Sequence, residues 1–258
     1  MSKVDTELTG SIATIMLNRP ERLNCFDFDT LQQLEDTLQN LQSDREIRAI
    51  MFTGAGEKAF SAGADLKERQ TLNEKEVRRN VNKIRYVFNL IEEMPQPTIA
   101  AINGYALGGG FELALACDFR LAIPEAKMGL TEVSWAIIPG AGGTQRLTNL
   151  IGPSYTKELI LTARKIEANA AKELGILNAV VSKEELLIEA ASLANEISAN
   201  GPLAVTQAKY AINQAANVDI HTGLAIEAKA YEVIIPTEDR VEALHAFNEK
   251  RPANFKGK

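Results

Sequence analysis

The sequence is poor in the residues that disulfides and most metal sites require. Its 258 residues include only two cysteines and two histidines, namely Cys25, Cys117, His221 and His245. Two cysteines do not make a disulfide framework, and both histidines lie far in sequence from the glycine-rich stretch described below. We therefore expect no structural disulfides and no metal ion, so the chemistry has to come from other groups.

Long hydrophobic runs are also missing. No apolar segment reaches the length that spans a membrane, and the first residues, MSKVD, lack the character of a signal or transit peptide. A reduced, cytoplasmic compartment is the default expectation. The mature form of an organellar protein would look the same, so that alternative stays open.

The chain has fewer basic than acidic residues. The formal net charge is −6 and the isoelectric point is about 5.2, which does not suit general binding to nucleic acid. One helix does carry a basic cluster, Arg78, Arg79, Lys83 and Arg85. Glutamates flank it and no aromatic stacking platform accompanies it, which favours a solvated helix face over an RNA-binding surface.

The hydrophobic periodicity predicts alternating strands and helices. Leucines 31, 34, 38 and 41 mark one buried face of a helix that begins at Asp29. Strands are predicted over residues 4–7, 12–17, 49–53, 98–102 and 119–122, with a long amphipathic helix over 73–93. This order is typical of an α/β layer architecture. After about residue 154 the pattern becomes mainly helical, and we divide the chain into 1–195 and 196–258.

A glycine triplet stands in the middle of the chain. Gly108, Gly109 and Gly110 remove every Cβ from one turn, so a ligand can approach the backbone closely. The apolar run that follows predicts a short buried helix, whose first N–H groups would favour an oxyanion. Glu112 lies just past the glycines, where burial should raise its pKa.

A second acid follows twenty positions later, again among apolar neighbours. Together, Glu112 and Glu132 suggest paired general acid/base catalysis on a substrate that develops an oxyanion. The alternative is purely structural, since an acid in the first helical turn is common and a glycine triplet is often only a turn.

Four segments in this order and spacing resemble the enoyl-CoA hydratase/isomerase (crotonase) family. They are SAGADLK at 61–67, ALGGGFE at 106–112, GLTE at 129–132 and IPGAGGTQR at 138–146. The resemblance covers nearly the whole chain. It implies a crotonase-like spiral of ββα units in residues 1–195, which hold the coenzyme A site, and a helical trimerisation region in 196–258.

The resemblance also implies roles for particular residues. Glu112 and Glu132 would be catalytic, and the N–H groups of Ala64 and Gly109 would form the oxyanion hole. The substrate, an acyl-CoA thioester, would lie along Ala64, Asp65, Leu66, Lys67 and Gly109. Coenzyme A is then part of the substrate, no separate cofactor is expected, and the chain would form a homotrimer or homohexamer.

Hydration of a trans-2-enoyl-CoA to a 3-hydroxyacyl-CoA is the expected reaction. An isomerase is the alternative, but isomerases of the family typically keep only one acid at these two positions. The segments 65–69 and 235–237 make 3-methylglutaconyl-CoA a candidate substrate. An RNA-binding protein on the same scaffold is the alternative from another class. The chain departs from the family pattern at Cys25 and Phe26, so the resemblance implies no acyl-chain preference.

Overall fold

A computed structural model describes residues 2–216 and 218–258 and contains two sheets. In the larger sheet the strands are β1 (Val4–Thr9), β2 (Ile12–Leu17), β3 (Ala49–Gly54), β5 (Thr98–Ile102), β7 (Phe119–Ala122) and β10 (Ala179–Val180). In the smaller sheet they are β4 (Ala59–Ser61), β6 (Tyr105–Leu107), β8 (Lys127–Gly129) and β9 (Ile166–Glu167). In each sheet, the strands lie side by side in the order just given, and neighbouring strands are hydrogen-bonded to each other.

The helices lie between and after these strands. They are α1 (Phe28–Ser43), α2 (Leu66–Arg69), α3 (Glu74–Glu93), α4 (Gly109–Ala116), α5 (Gly143–Leu161), α6 (Ala168–Glu173), α7 (Leu186–Ser198), α8 (Pro202–Ala215), α9 (Ile220–Ile234) and α10 (Glu238–Glu249). The first long helix begins one residue before the predicted start, because Asp27 accepts the N–H of Thr30 and caps it. The sequence also predicts a helix break at Gly152 and Pro153, and within α5 Gly152 is non-helical.

The chain winds as a spiral of ββα turns. Each turn places one strand in the larger sheet and the next in the smaller sheet, and then adds helix: β3 and β4, β5 and β6, β7 and β8. Within each sheet these successive strands pair in parallel. The predicted α/β spiral of ββα units is therefore confirmed. The strands of the smaller sheet have only two or three residues each, too few for periodicity to reveal.

The main hydrophobic core lies within the spiral. Its largest fully buried side chains include Phe52, Phe60, Phe88 and Phe111, and the core extends along the chain as far as Ala194. The helices α8, α9 and α10 instead expose large apolar side chains, among them Ile212, Ile220, Leu224, Tyr231 and Phe247. The division near residue 195 stays a prediction. No helix in the described part of the chain is both long and apolar enough to cross a membrane.

Candidate active site

The glycine triplet forms the turn from β6 into α4. Gly108 has φ +51°, a conformation that side-chain-bearing residues rarely adopt. A Cβ on Gly110 would come 2.0 Å from the carbonyl oxygen of Ser61, so no larger residue fits against β4. Backbone conformation therefore favours glycine at position 108, and close packing requires it at position 110.

The turn that carries Ala64 lies against the start of α4. A Cβ on Gly63 would lie 2.8 Å from the Gly109 nitrogen, and one on Gly109 would lie 3.7 Å from the Ala64 nitrogen. Within residues 2–216 and 218–258, neither the Ala64 nor the Gly109 amide donates a hydrogen bond to another protein group. Two unpaired backbone N–H groups thus lie side by side, an arrangement that can stabilise an oxyanion.

Glu112 is buried, with only 3% of its surface exposed. Its Oε1 accepts two backbone hydrogen bonds, from Ala141 at 2.8 Å and from Gly143 at 2.9 Å. Burial raises the pKa of this carboxyl above its ordinary value, and the two N–H donors offset part of that increase. Helix α5 begins at Gly143, so its N-terminus favours the ionised form of Glu112.

Glu132 begins a short 3-10 turn, Glu132–Trp135. One carboxylate oxygen lies close to the glycine turn, since a Cβ on Gly108 would be 3.1 Å from Oε1. The other, Oε2, is buried and has no hydrogen-bond partner among the described residues. Burial, together with the charge of Glu112, raises the pKa of Glu132 to about 7. The two acids therefore titrate under each other's influence, and Glu132 is the one poised to carry a proton near neutral pH.

The remaining predicted binding residues lie at the start of α2. Asp65 caps this helix by accepting the N–H groups of Lys67 and Glu68, and it forms an ion pair of 3.0 Å with Arg19. Although burial opposes ionisation, these contacts hold the pKa of Asp65 below its ordinary value. The carboxylate of Asp65 thus supports the fold of the turn, whereas Leu66 and Lys67 are exposed and open to a ligand.

A small cavity of about 30 Å³ adjoins Ala64. The side chains around it come from the Phe26 segment, α1, residues 65–72 and α3, namely Phe26, Leu31, Asp65, Glu68, Arg69, Leu72, Asn80, Val81 and Ile84. Phe26 is one of the two residues that depart from the family pattern. Its ring packs edge-on against the ring of Phe88, with 5.5 Å between the two ring centroids. Two larger cavities, of about 720 and 550 Å³, lie beside α8 and contain none of the predicted site residues.

The groups that hold Glu112 could not be predicted from the sequence, and in the cavity wall only Ala64 and Asp65 have predicted roles. The segment 138–146 was recognised as a motif, yet nothing in it indicated that the Ala141 and Gly143 amides would point at Glu112. The run of glycines was the only available signal. No group of three or more His, Cys, Asp or Glu side chains in the described residues is arranged to hold a metal ion.

The basic cluster on α3 is largely engaged within the chain. Arg79 lies over the ring of Phe28 at 4.1 Å, Lys83 pairs with Glu35, and Arg85 donates to the carbonyl of Gly140 at 3.0 Å. Of the four charges, those of Lys83 and Arg78 are paired with the carboxylates of Glu35 and Glu74, and the other two contact uncharged groups of the same chain. These contacts support the interpretation of this cluster as an ordinary helix face.

Comparison with known proteins defines the family. The enoyl-CoA hydratase/isomerase family model matches residues 7–258. The chain is 43% identical over 251 residues to a short-chain-enoyl-CoA hydratase of Clostridium acetobutylicum, covering 97% of this chain and 96% of the relative. It is 47% identical over 255 residues to the human mitochondrial methylglutaconyl-CoA hydratase, covering 97% and 75%.

The structural comparison agrees. The crystal structure of an enoyl-CoA hydratase from Bacillus anthracis superposes with a TM-score of 0.98 at 49% identity, with both chains covered completely. The chain therefore belongs to the enoyl-CoA hydratase/isomerase family, and the prediction of an enzyme from this family is confirmed.

Proposed function

We propose that the chain is an enoyl-CoA hydratase, which adds water across the 2,3 double bond of a trans-2-enoyl-CoA. One observation carries this proposal: the buried Glu112 and the half-buried Glu132, each with a raised pKa, lie beside two backbone amides that donate to no other group of the described residues. Such a site can hold a thioester oxygen and a water molecule at the same time. Relatives that bear hydratase names support the same reaction class.

In this proposal, the Ala64 and Gly109 amides bind the thioester oxygen. Negative charge gathers on that single oxygen when the double bond is attacked, because the thioester takes up the electron pair as an enolate. Two fixed donors stabilise it, and the loss of one such donor costs about 3–4 kcal/mol of transition-state stabilisation. The thioester itself is the electron sink, so the proposed reaction requires no metal or redox cofactor.

Glu112 and Glu132 divide the proton transfers between them. Glu112, held by two N–H donors at a helix N-terminus, takes a proton from the water, whose oxygen bonds to C3. Glu132, with its pKa of about 7, delivers its own proton to C2. The proton gained by Glu112 then restores Glu132, so one water is consumed and both acids return to their starting states.

Binding of coenzyme A is assigned to the start of α2. Leu66 and Lys67 are exposed next to Ala64, and an ammonium group is suited to a phosphate. Asp65 contributes by holding the turn in place. A homotrimer or homohexamer and a cytoplasmic location stay predictions.

The alternatives carry less support. An isomerase of this family typically keeps one of the two acids, whereas both are present and adjacent here. Methylglutaconyl-CoA remains a candidate substrate, because the human relative carries that name at 47% identity. RNA binding is disfavoured by the internal contacts of the α3 cluster.

A hydration assay over a panel of 2-enoyl-CoA thioesters tests the proposal. Loss of the ultraviolet absorption of the conjugated thioester should accompany formation of the 3-hydroxyacyl-CoA, identified by mass spectrometry. Migration of the double bond without gain of water would show an isomerase instead. A gel-shift titration with RNA over a range of salt concentrations tests the remaining class.

A further inference from the structure

We infer that Arg146 is a positioning residue for Glu112, an inference that rests on the proposed function. Its guanidinium ties the loop that holds Glu112 to the end of helix α3. The Arg146 side chain is only 10% exposed, and it contacts Glu92, Asn89 and the Ala141 carbonyl at the same time. In this role Arg146 touches no substrate atom and acts on the reaction through the place and charge of Glu112.

The loop over residues 140–143 determines where the Glu112 carboxylate lies. The Ala141 and Gly143 N–H groups donate to Glu112 Oε1 at 2.8 and 2.9 Å. Arg146 Nη1 donates to the carbonyl oxygen of the same Ala141 at 2.8 Å. Ala141 is therefore held at its carbonyl by Arg146 while its N–H holds Glu112, so loss of the guanidinium would release one of the two donors.

Helix α3 is the fixed point to which Arg146 ties this loop. Nε and Nη2 of Arg146 donate to the two carboxylate oxygens of Glu92 at 3.1 and 2.7 Å, and Nη2 also donates to Asn89 Oδ1 at 2.8 Å. Both partners lie in the last two turns of α3, whose buried face packs into the core. A bidentate pair fixes the plane of the guanidinium, and this plane in turn directs Nη1 at the loop.

Both charges of this ion pair are placed against the local helix dipoles. Arg146 lies near the start of α5 and Glu92 near the end of α3, whereas a helix favours anions at its start and cations at its end. Neither charge therefore stabilises its own helix through the dipole. The pair instead joins one helix end to the other, which is the arrangement that a positioning role requires.

Gly142 provides the space that the guanidinium occupies. A Cβ at this position would lie 2.1 Å from Arg146 Nη1, and the φ of Gly142 is +99°. Any side chain here would both strain the backbone and displace the guanidinium. The segment 138–146 thus contains the arginine together with the glycine against which it packs.

The charge of Arg146 supports the same role. Burial raises the pKa of Glu112, whereas the two amides, Arg146 and Arg85 lower it. Arg146 therefore favours the ionised carboxylate, the form that takes a proton from water in the proposed reaction. Removal of Arg146 would take away this charge and loosen the Ala141 donor, and both changes raise the pKa of Glu112.

Kinetics of Arg146→Met with crotonyl-CoA tests the inference. kcat should fall by about 10- to 100-fold, the loss expected when a reacting group is misplaced by about 1 Å. KM should stay within about threefold, because Arg146 contacts no substrate. The acidic limb of the kcat/KM profile, which reports the base Glu112, should move to higher pH by about one unit.

Two conservative variants separate the charge from the geometry. Arg146→Lys keeps the charge but cannot bind both Glu92 oxygens and the Ala141 carbonyl at once, so it should restore the acidic limb more fully than kcat. Glu92→Gln keeps the shape of the side chain and removes the charge at the other end of the pair. It should change kcat and the limb in the same direction as Arg146→Met but by less, and it serves as the test if Arg146→Met does not fold.

Arg164→Met is the matched control. It removes an arginine that pairs with Glu158 near the other end of α5, where both side chains are exposed, so kcat and the pH profile should remain those of the wild type. In a Glu112→Gln background, Arg146→Met should cost no more than about threefold, because the base on which it acts is already absent. A full further loss in that background would show that Arg146 acts by another route and would overturn the inference.

An infrared titration separates the inference from the proposed function. The C=O band of the protonated Glu112 carboxyl, identified by its absence in Glu112→Gln, is followed against pH without any substrate. Its midpoint should rise by about one pH unit in Arg146→Met and stay unchanged in Arg164→Met. An equal midpoint in wild type and Arg146→Met would contradict the positioning role. If the wild-type chain hydrates no enoyl-CoA, the proposed function is wrong, while this midpoint still decides the role of Arg146.

Discussion

Glu112 and Gly143 are in close contact: Oε1 accepts the Gly143 N–H at 2.9 Å, and a Cβ on Gly143 would lie 3.0 Å from the same oxygen. The glycine therefore supplies a hydrogen bond and also the space that lets the carboxylate reach it. Because Gly143 begins α5, the position of this buried acid depends on where a helix starts, thirty-one residues further along the chain. This contact distinguishes the two acids, since Glu132 Oε2 has no such partner in the described structure.

The first prediction concerns the acid pair. Glu112→Gln and Glu132→Gln keep the shape of the side chain but remove its titration, and each should lower kcat by at least about 100-fold. The double variant should lose less than the product of the two, because both residues act on one water. Steady-state kinetics with crotonyl-CoA measures all three.

Solvent deuterium exchange at C2 separates the two roles. Glu132→Gln should abolish exchange as well as hydration, whereas Glu112→Gln should retain some exchange. Full hydratase activity in either single variant would refute the mechanism. Losses that multiply fully would leave both residues catalytic, but would show that they do not share the water.

The second prediction concerns the Gly109 amide. Gly109→Pro removes the N–H at the first residue of α4, a position where proline is tolerated, and should lower kcat by about 100-fold or more. Gly109→Ala is the matched control, because it adds the same Cβ against Ile84 and keeps the N–H. Kinetics and coenzyme A affinity are measured for both.

Only the proline variant should lose most of its activity, and it should retain much of its coenzyme A affinity. Similar losses in both variants would assign the effect to crowding at Ile84. A folded proline variant with wild-type activity would show that Gly109 is not an oxyanion donor.

The third prediction concerns pH. The pKa of Glu132 is raised from 4.5 to about 7 in the folded chain, so the fold disfavours its ionised form. Stability contributed by the protonated acid is complete below pH 4.5 and falls as the pH rises towards about 7. Glu132→Gln should therefore raise the Tm, and the difference from wild type should grow over this range and then level off.

The pKa of Glu132 also determines how the enzyme's activity depends on pH. If Glu132 must be protonated to donate to C2, kcat/KM should fall as the pH rises above about 7. A stopped assay at a series of pH values above about 7 measures this decrease in kcat/KM. A rate that stays constant to two units above that pKa would contradict the assignment of Glu132 as the proton donor.

The fourth prediction concerns assembly. The helices α8, α9 and α10 expose apolar side chains that a monomer would leave in water, including Leu224 at 52% and Tyr231 at 65% exposure. Light scattering should return three or six times the 28.2 kDa of one chain. Leu224→Glu should shift the population towards monomer, whereas Leu8→Glu, at an equally exposed position in β1, should not. A monomeric wild-type chain at micromolar concentration would disprove the prediction.

Several elements could be predicted because their signals are local. The leucine spacing in α1 and the amphipathic pattern of α3 each depend on neighbouring residues, and the structure contains both helices. The break at Gly152 was visible for the same reason. The smaller sheet was missed because strands of two or three residues carry no periodicity. Their pairing depends on the turns of the spiral that bring them together.

The sequence by itself determined which chemical groups are available: two acids, a glycine triplet and a turn at residues 63–65, in an order that resembles one family. Only the tertiary structure decided how they act. It placed the Gly63 turn against Gly109 and gave Glu112 two N–H donors. It left Glu132 Oε2 without a donor among the described residues and brought Arg69 to the cavity beside Ala64. The physical reason is that pKa, oxyanion geometry and charge pairing depend on distance and burial in space. Residues far apart along the chain set both quantities.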